Sequence, residues 1–163
     1  METDQSTYKY DMEQLEKAHT YACNKSTCAK VCVGSQIINR DNIAVSYGCN
    51  HGVGRNCLRK GCHRVKLYGE NSKDHRLPSD CVSIHSEVDA ICRAARRGIS
   101  VYGATLYITR YPCEACARAI VTAGIARVVY GRAESISPMT EKIFSSVGVR
   151  VDHLDWHAED NNS

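Results

Sequence analysis

The chain has 163 residues, 43% of them hydrophobic and 24% charged. That size and balance suit a single domain, residues 1–163, able to bury about 70% of its unfolded surface without disulfide staples. A net charge of +3 is too small to announce a polyanion, and no apolar run approaches the roughly 18 residues of a membrane span, so neither nucleic acid nor a membrane is expected as a partner. Residues 1–7 are polar and acidic, without the apolar stretch of a secretory signal. The ten cysteines therefore read as metal ligands and buried thiols of a reducing, cytoplasmic setting rather than as disulfides.

In chain order, Met12, Leu15, Ala18, Tyr21 and Ala22 recur at helical spacing and predict a helix over 11–24, behind a polar end (about 1–8) expected to fray. Residues 31–38 and 43–47 read as strands joined through Asn39, Arg40, Asp41 and Asn42, a run of turn formers. Residues 49–80 are rich in Gly, Cys, His and charge and show no periodicity; loops of that length in a compact domain are usually functional or clamped. Within them, 55–77 hold seven Lys/Arg against two Asp/Glu, which suits a small phosphorylated ligand, a subunit contact or a solvated surface.

Beyond the loop the pattern predicts a helix over 84–97 ended by Gly98, a strand over 104–110, and a helix over 113–123 ended by Gly124. A strand over 126–130, a helix opened by Ser137 and Pro138, and a strand over 148–154 follow. Val88, Ile91, Cys92 and Ala95 are expected to form the stripe that packs the 84–97 helix on the sheet. The alternation predicts a three-layer α/β/α domain. A helix-containing connection at 131–147 is long enough for a crossover, so the last two strands are expected to be parallel. The polar tail, 157–163, is expected to fray.

Two short strings carry the chemistry. His85-Ser86-Glu87 is H-x-E, and Pro112-Cys113-Glu114-Ala115-Cys116 is P-C-x-x-C. Together they offer one imidazole and two thiolates, three ligands that leave the fourth tetrahedral position of Zn²⁺ open, as a catalytic zinc requires. Both strings fall at expected helix starts, where the unsatisfied N–H groups favour thiolates. Cys113 and Cys116, three apart, share a helix face. Glu87 is expected to carry protons rather than bind the metal, serving first as base and then as acid.

With these residues in view, the chain resembles the cytidine deaminase superfamily, whose signature is this H-x-E and P-C-x-x-C pair. More narrowly it resembles the deoxycytidylate (dCMP) deaminases of bacteria and phages. The matching segments are 26–34, 48–51, 84–91 and 103–120. The resemblance implies a five-stranded mixed sheet flanked by helices, usually a hexamer, hydrolysis of dCMP to dUMP with release of ammonia, and dCTP and dTTP as effectors. It assigns Asn50 to the deoxyribose. The family pattern G-Y-N-G is here Gly48-Cys49-Asn50-His51, with a slightly shorter loop after it, and H-A-E-x-N-A is His85-Ser86-Glu87-Val88-Asp89-Ala90. No role is assigned to Asp89.

Relatives also build a structural zinc from positions matching Cys28, Cys57, Cys62 and Cys81. Four thiolates would close such a site and fix the long loop; the alternative is four reduced thiols packed as small hydrophobes. Cys49, His51, His63 and His75 lie near enough in sequence to leave the ligand set open. Tyr111 either packs on the pyrimidine or shapes the pocket rim. Phosphate candidates are Lys30, Arg110 and Arg55, the last at the end of Gly52-Val53-Gly54-Arg55. Arg93, Arg96 and Arg97 share a helix face that in the family lies near the effector site. Rival functions are a deaminase of a related substrate (dCTP, a modified dCMP or a polynucleotide base) and a non-catalytic, zinc-stabilised nucleotide-binding module.

Overall fold

The structure, a computed structural model, describes residues 5–70 and 81–156. In chain order it contains α1 (Gln5–Lys25), β1 (Gly34–Ile38), β2 (Ala44–Cys49), β3 (His51–Gly52), α2 (Cys57–Lys60), α3 (His63–Tyr68) and β4 (Ser83–Ile84). It continues with α4 (Ser86–Arg96), β5 (Thr105–Arg110), α5 (Glu114–Thr122), β6 (Arg127–Arg132), α6 (Pro138–Ser146) and β7 (Arg150–His153). Helix α1 starts at Gln5, earlier than the apolar period suggested, so residues 5–8 are helical rather than frayed. The remaining polar end, residues 1–4, and the tail 157–163 lie outside the described residues.

The main sheet has the order β2-β1-β5-β6-β7. Strand β1 is antiparallel to both β2 and β5, whereas β5, β6 and β7 run parallel, giving the mixed five-stranded sheet and the parallel last pair that were expected. Alternation along β5 divides the core between the two faces. Leu106 and Ile108 pack with Ala90 and Ala94 of α4, Ala117 and Ile120 of α5 and Phe144 of α6. Tyr107 turns the other way, into a cluster with Leu15 of α1, Val129, Leu154 and Trp156. One helix therefore covers one face and three cover the other, which makes the three layers.

Two glycines set how closely the helices approach the sheet. A Cβ at Gly34 would collide with the backbone of Ala18 in α1, and one at Gly48 with the backbone of Ser86 in α4. The second contact fixes the face that α4 buries. Its buried residues are Ser86, Glu87, Asp89, Ala90 and Ala94; of the expected stripe, Ile91 is half-buried and packs against the core and Val88 is half-buried. Cys92 and Ala95 are exposed. A helix pressed against a glycine strand needs small side chains at the contact, which Ser86 and Ala90 provide.

The long segment before α4 is partly structured. Strand β3 pairs with β4, His51 opposite Ile84, and so ties the insertion to the residue next to His85. Helices α2 and α3 are single turns or little more, too short to show a period. Asn56 starts α2 by accepting a hydrogen bond from the Arg59 N–H at 3.0 Å.

Candidate active site

His85 and Cys113 each stand immediately before a helix, at the N-caps of α4 and α5, with extended backbone (ψ 153° and 168°). Both helix starts point their free N–H groups into the same space. His85 Nδ1 lies 3.5 Å from Cys113 Sγ and 3.4 Å from Cys116 Sγ, and the three donor atoms lie within 4.8 Å of one another. Tetrahedral bonds of about 2.0 Å to nitrogen and 2.3 Å to sulfur would place N and S roughly 3.6 Å apart. The donors therefore fit a zinc ion in number, kind and spacing.

The electrostatics suit a cation. The hydrogen bond from Cys116 and the neighbouring imidazole pull the Cys113 thiol down to about 3, despite burial. The same contact, with burial, pushes Cys116 up. The Cys113 hydrogen bond raises His85.

Glu87, in the first turn of α4, is 3% exposed. Burial raises its pKa, against the lowering influence of a backbone N–H and His85. Ser86 Oγ donates to Glu87 Oε2 at 3.2 Å and lies 2.7 Å from Ser35 Oγ on β1. The carboxyl is held close to the cysteine pair, within hydrogen-bond contact of Cys116, and is easier to protonate than a surface glutamate.

These groups face a cavity of about 190 Å³ lined by Val31, Val33, Asn50, His85, Ser86, Glu87, Ile108, Arg110, Tyr111 and Cys113. That volume is below the roughly 300–1,000 Å³ of sites for drug-sized ligands, so it suits one small ring. Arg110, Tyr111 and Cys113 also line an adjoining groove of about 530 Å³ with Pro112, Glu114, Arg118 and Glu134. Arg110 NH1 pairs with Glu134 Oε1 at 2.8 Å.

Of the expected substrate residues, Asn50, Tyr111 and Arg110 meet at this cavity. Asn50 Oδ1 accepts from Ser26 Oγ at 2.8 Å and from the Val33 N–H at 2.9 Å, and its Nδ2 donates to the Val31 carbonyl at 2.7 Å. Its amide is thereby locked in orientation. Tyr111 packs edge-on against Tyr130, ring centroids 4.8 Å apart, so it shapes the rim while facing the cavity. Lys30 is exposed and is not among the lining residues. Arg55 lies elsewhere, at a pocket of about 510 Å³ with Lys25, His51 and Arg93.

Asp89 acquires an account from the structure. Its carboxylate accepts from the Cys49 N–H at 3.1 Å and from Arg93 Nε at 2.9 Å, and lies 3.2 Å from His51 Nε2. It fastens α4 to the end of β2 and sets His51 and Arg93 beside that second pocket. Arg97 donates to the Val45 carbonyl at 3.0 Å, while Arg96 is exposed. Sequence reasoning missed Ser35, Ser86, Val31, Val33 and Ile108, none of which carries a signal outside the fold.

The structure does not gather Cys28, Cys57, Cys62 and Cys81 into a second centre. Among the described residues, His85, Cys113 and Cys116 are the one group of three or more such donors within 4.8 Å. Cys57 opens α2 with its sulfur toward Gly52. Cys62 lies beyond the break at Gly61 (φ 74°), at the start of α3, so the two cysteines belong to different short helices. Neither His63 nor His51 joins such a group; His75 lies outside the described residues.

Residues 7–132 match the family described as the cytidine and deoxycytidylate deaminase zinc-binding region. ComE operon protein 2 of Bacillus subtilis (strain 168) is 31% identical over 144 residues, covering 86% of this chain and 69% of that protein. The deoxycytidylate deaminase of Enterobacteria phage T4 is 38% identical over 89 residues; the match covers 54% of this chain and 46% of that enzyme, about half its length. That of Mycobacterium phage D29 is 31% identical over 120 residues, 68% of this chain and 86% of the relative. In fold, the chain is similar to the dCMP deaminase of cyanophage S-TIM5 in complex with dCMP and dUMP, with a TM-score of 0.67 and 19% identity over 90% of this chain and 97% of that one.

Proposed function

The chain belongs to the cytidine and deoxycytidylate deaminase zinc-binding family, and on that premise we propose that it hydrolyses dCMP to dUMP and ammonia, supplying dUMP for thymidylate synthesis. The observation that carries the reading is the convergence of His85, Cys113 and Cys116 beside a buried glutamate in a cavity sized for one ring. Phage, human and other relatives named deoxycytidylate deaminase support the choice of substrate.

His85 Nδ1, Cys113 Sγ and Cys116 Sγ would hold the zinc. When bound, it supplies a Lewis acid that brings the pKa of its water down toward 7. Glu87 takes the proton from the attacking water and delivers it to the ring nitrogen beside the amino-bearing carbon. It then carries a proton to the departing amine, so one carboxylate acts as base and as acid. Its raised pKa suits both duties. Asn50, fixed by Val31, Val33 and Ser26, holds the sugar. Tyr111 closes the rim, and Arg110 is the cation placed to take the phosphate as it leaves Glu134.

The reading takes one zinc per chain, a cytoplasmic location and a homo-oligomer, hexameric by family resemblance. It assigns dCTP and dTTP, as effectors, to the basic pocket of Lys25, His51, Arg55 and Arg93. Ammonia release and the ultraviolet change with dCMP, dCTP, deoxycytidine and a cytosine-containing oligonucleotide test the substrate. Turnover of dCMP well above the others is expected; turnover only of another substrate would overturn the assignment. Metal analysis expects one zinc, and two would restore the cysteine quartet. Sedimentation tests the oligomer, and a change in dCMP turnover on adding dCTP or dTTP tests the effectors.

A further inference from the structure

Outside the zinc site, two further thiols stand in contact. Cys23, on the last turn of α1, is exposed, and Cys32, in the irregular segment leading to β1, is half-buried. Their sulfurs are 3.9 Å apart. We propose that Cys23 and Cys32 are a modification site: they form a reversible disulfide that staples the wall of the catalytic cavity to α1.

Three observations meet here. First, the approach needed is small. A disulfide is about 2.05 Å long, so the sulfurs must close by about 2 Å. Second, the pair has a built-in proton acceptor. His19, one helical turn before Cys23, sets its Nε2 3.3 Å from Cys23 Sγ and is held edge-on against the buried Trp156, centroids 5.2 Å apart. Third, Cys32 sits between Val31 and Val33, which both line the cavity and which both grip the side chain of Asn50.

The chemistry is thiol–disulfide exchange with a small-molecule disulfide such as oxidised glutathione. Cys23 gives its proton to His19 and attacks one sulfur of that disulfide. The S–S bond breaks, and one thiolate leaves with the electron pair. Cys32 then loses its proton, attacks Cys23 Sγ and expels the second thiolate. Two protein thiols are oxidised by two electrons, and the small disulfide is reduced to two thiols, which take up the two protons. Burial, with the nearby Cys23, pushes the Cys32 thiol up to about 12. That makes Cys23 the first attacker and Cys32 the resolving thiol.

The consequence follows from which partner is anchored. Helix α1 is pinned by the fully buried Leu15, Ala18 and Ala22, whereas residues 26–33 have no helix or strand of their own. Closing the bond therefore draws the 31–33 wall, and Asn50 with it, toward α1. Glu87 and the zinc donors stand on other elements. The expected effect is a rise of about threefold or more in KM for dCMP with kcat nearly unchanged; this readout rests on the dCMP reading above.

The test is titration of the zinc-loaded full chain with oxidised glutathione, followed by alkylation, peptide mapping and metal analysis. A cystine joining Cys23 to Cys32 is expected, reversed by dithiothreitol, with the zinc retained and KM raised. Cys23→Ser is expected to show neither the cystine nor the KM change. Mapping that finds Cys23 and Cys32 still alkylatable, or capped separately by glutathione, would overturn the proposal. So would a KM change that persists in Cys23→Ser. If the protein does not turn over dCMP, the mapping still decides the disulfide, so the two readings fail separately.

Discussion

On the α1 face of the sheet, Asp11 is 2% exposed; on the opposite face, Glu87 is 3% exposed. The burial is the same, and the surroundings differ. Tyr107 donates its hydroxyl to Asp11 at 2.6 Å, and Arg127 donates NH1 and NH2 to the two carboxylate oxygens at 3.0 and 2.6 Å. Arg127 also reaches Asp152 at 2.6 Å. With Arg150 on Asp152 at 2.9 Å, that network joins α1, β5, β6 and β7 and sets two guanidinium groups against two carboxylates. Glu87 takes part in none of the ion pairs among the described residues; it has Ser86 and the sulfur donors, and burial raises its pKa. A buried carboxylate locked to a guanidinium is a strut, and one left proton-competent beside open metal donors is chemistry.

The sharpest way to break that distinction is to neutralise each carboxylate's role in turn. Glu87→Gln should lower kcat for dCMP by about 10²–10⁴-fold, with zinc content and melting temperature close to those of the parent. Loss of zinc or of fold would move Glu87 into the class of Asp11. Arg127→Met should do the reverse. It strands Asp11 without its cation and should cost about 3–5 kcal/mol of stability by urea unfolding, while activity per folded molecule stays within about twofold.

A milder version removes only the phenol. Tyr107→Phe deletes one hydrogen bond to a charged group and should cost about 1.5–3 kcal/mol. It also tests a pH dependence. Burial and the Asp11 contact raise the Tyr107 pKa above its usual 10.0, so the folded state holds a proton that the unfolded state releases. The stability this contributes is full below about pH 10 and is lost as pH rises beyond it. Urea midpoints should thus fall more steeply in the parent than in Tyr107→Phe between about pH 9 and 11. The smallest effect expected is Ser86→Ala. One neutral hydrogen bond is worth about 1 kcal/mol, so kcat should fall by less than about tenfold. A larger loss would make Ser86 an essential positioning residue for Glu87.

His85, Glu87, Cys113 and Cys116 were legible because each of the two strings is local in sequence and opens a helix; the fold then brings the two helix starts together. The layers and the parallel half of the sheet were legible from the alternation of elements and the long 131–147 connection, and the five-stranded mixed sheet from the family resemblance. The buried stripe of α4 was not, because its choice depends on Gly48, which lies far away in sequence and close in space. The cysteine quartet could not be read from spacing alone. Cys57 and Cys62 fall in different short helices with Gly61 between them, so where their sulfurs point is set by the fold of the insertion.

The same division holds for the ligand-binding residues. Lys30, Arg55 and Arg110 are equivalent as sequence candidates, and only the fold sends Arg55 to a different pocket and leaves Lys30 in solvent. Asp89 carried no meaning until β2 and β3 brought Cys49 and His51 to it. The sequence by itself pointed to the three converging donors, to Glu87 beside them and to an α/β fold, because those are written in local spacings and in the alternation of elements. Tertiary structure alone decided which arginine meets the cavity, which face α4 hides and which thiols stand in contact. Those outcomes depend on packing between segments that the chain keeps tens of residues apart.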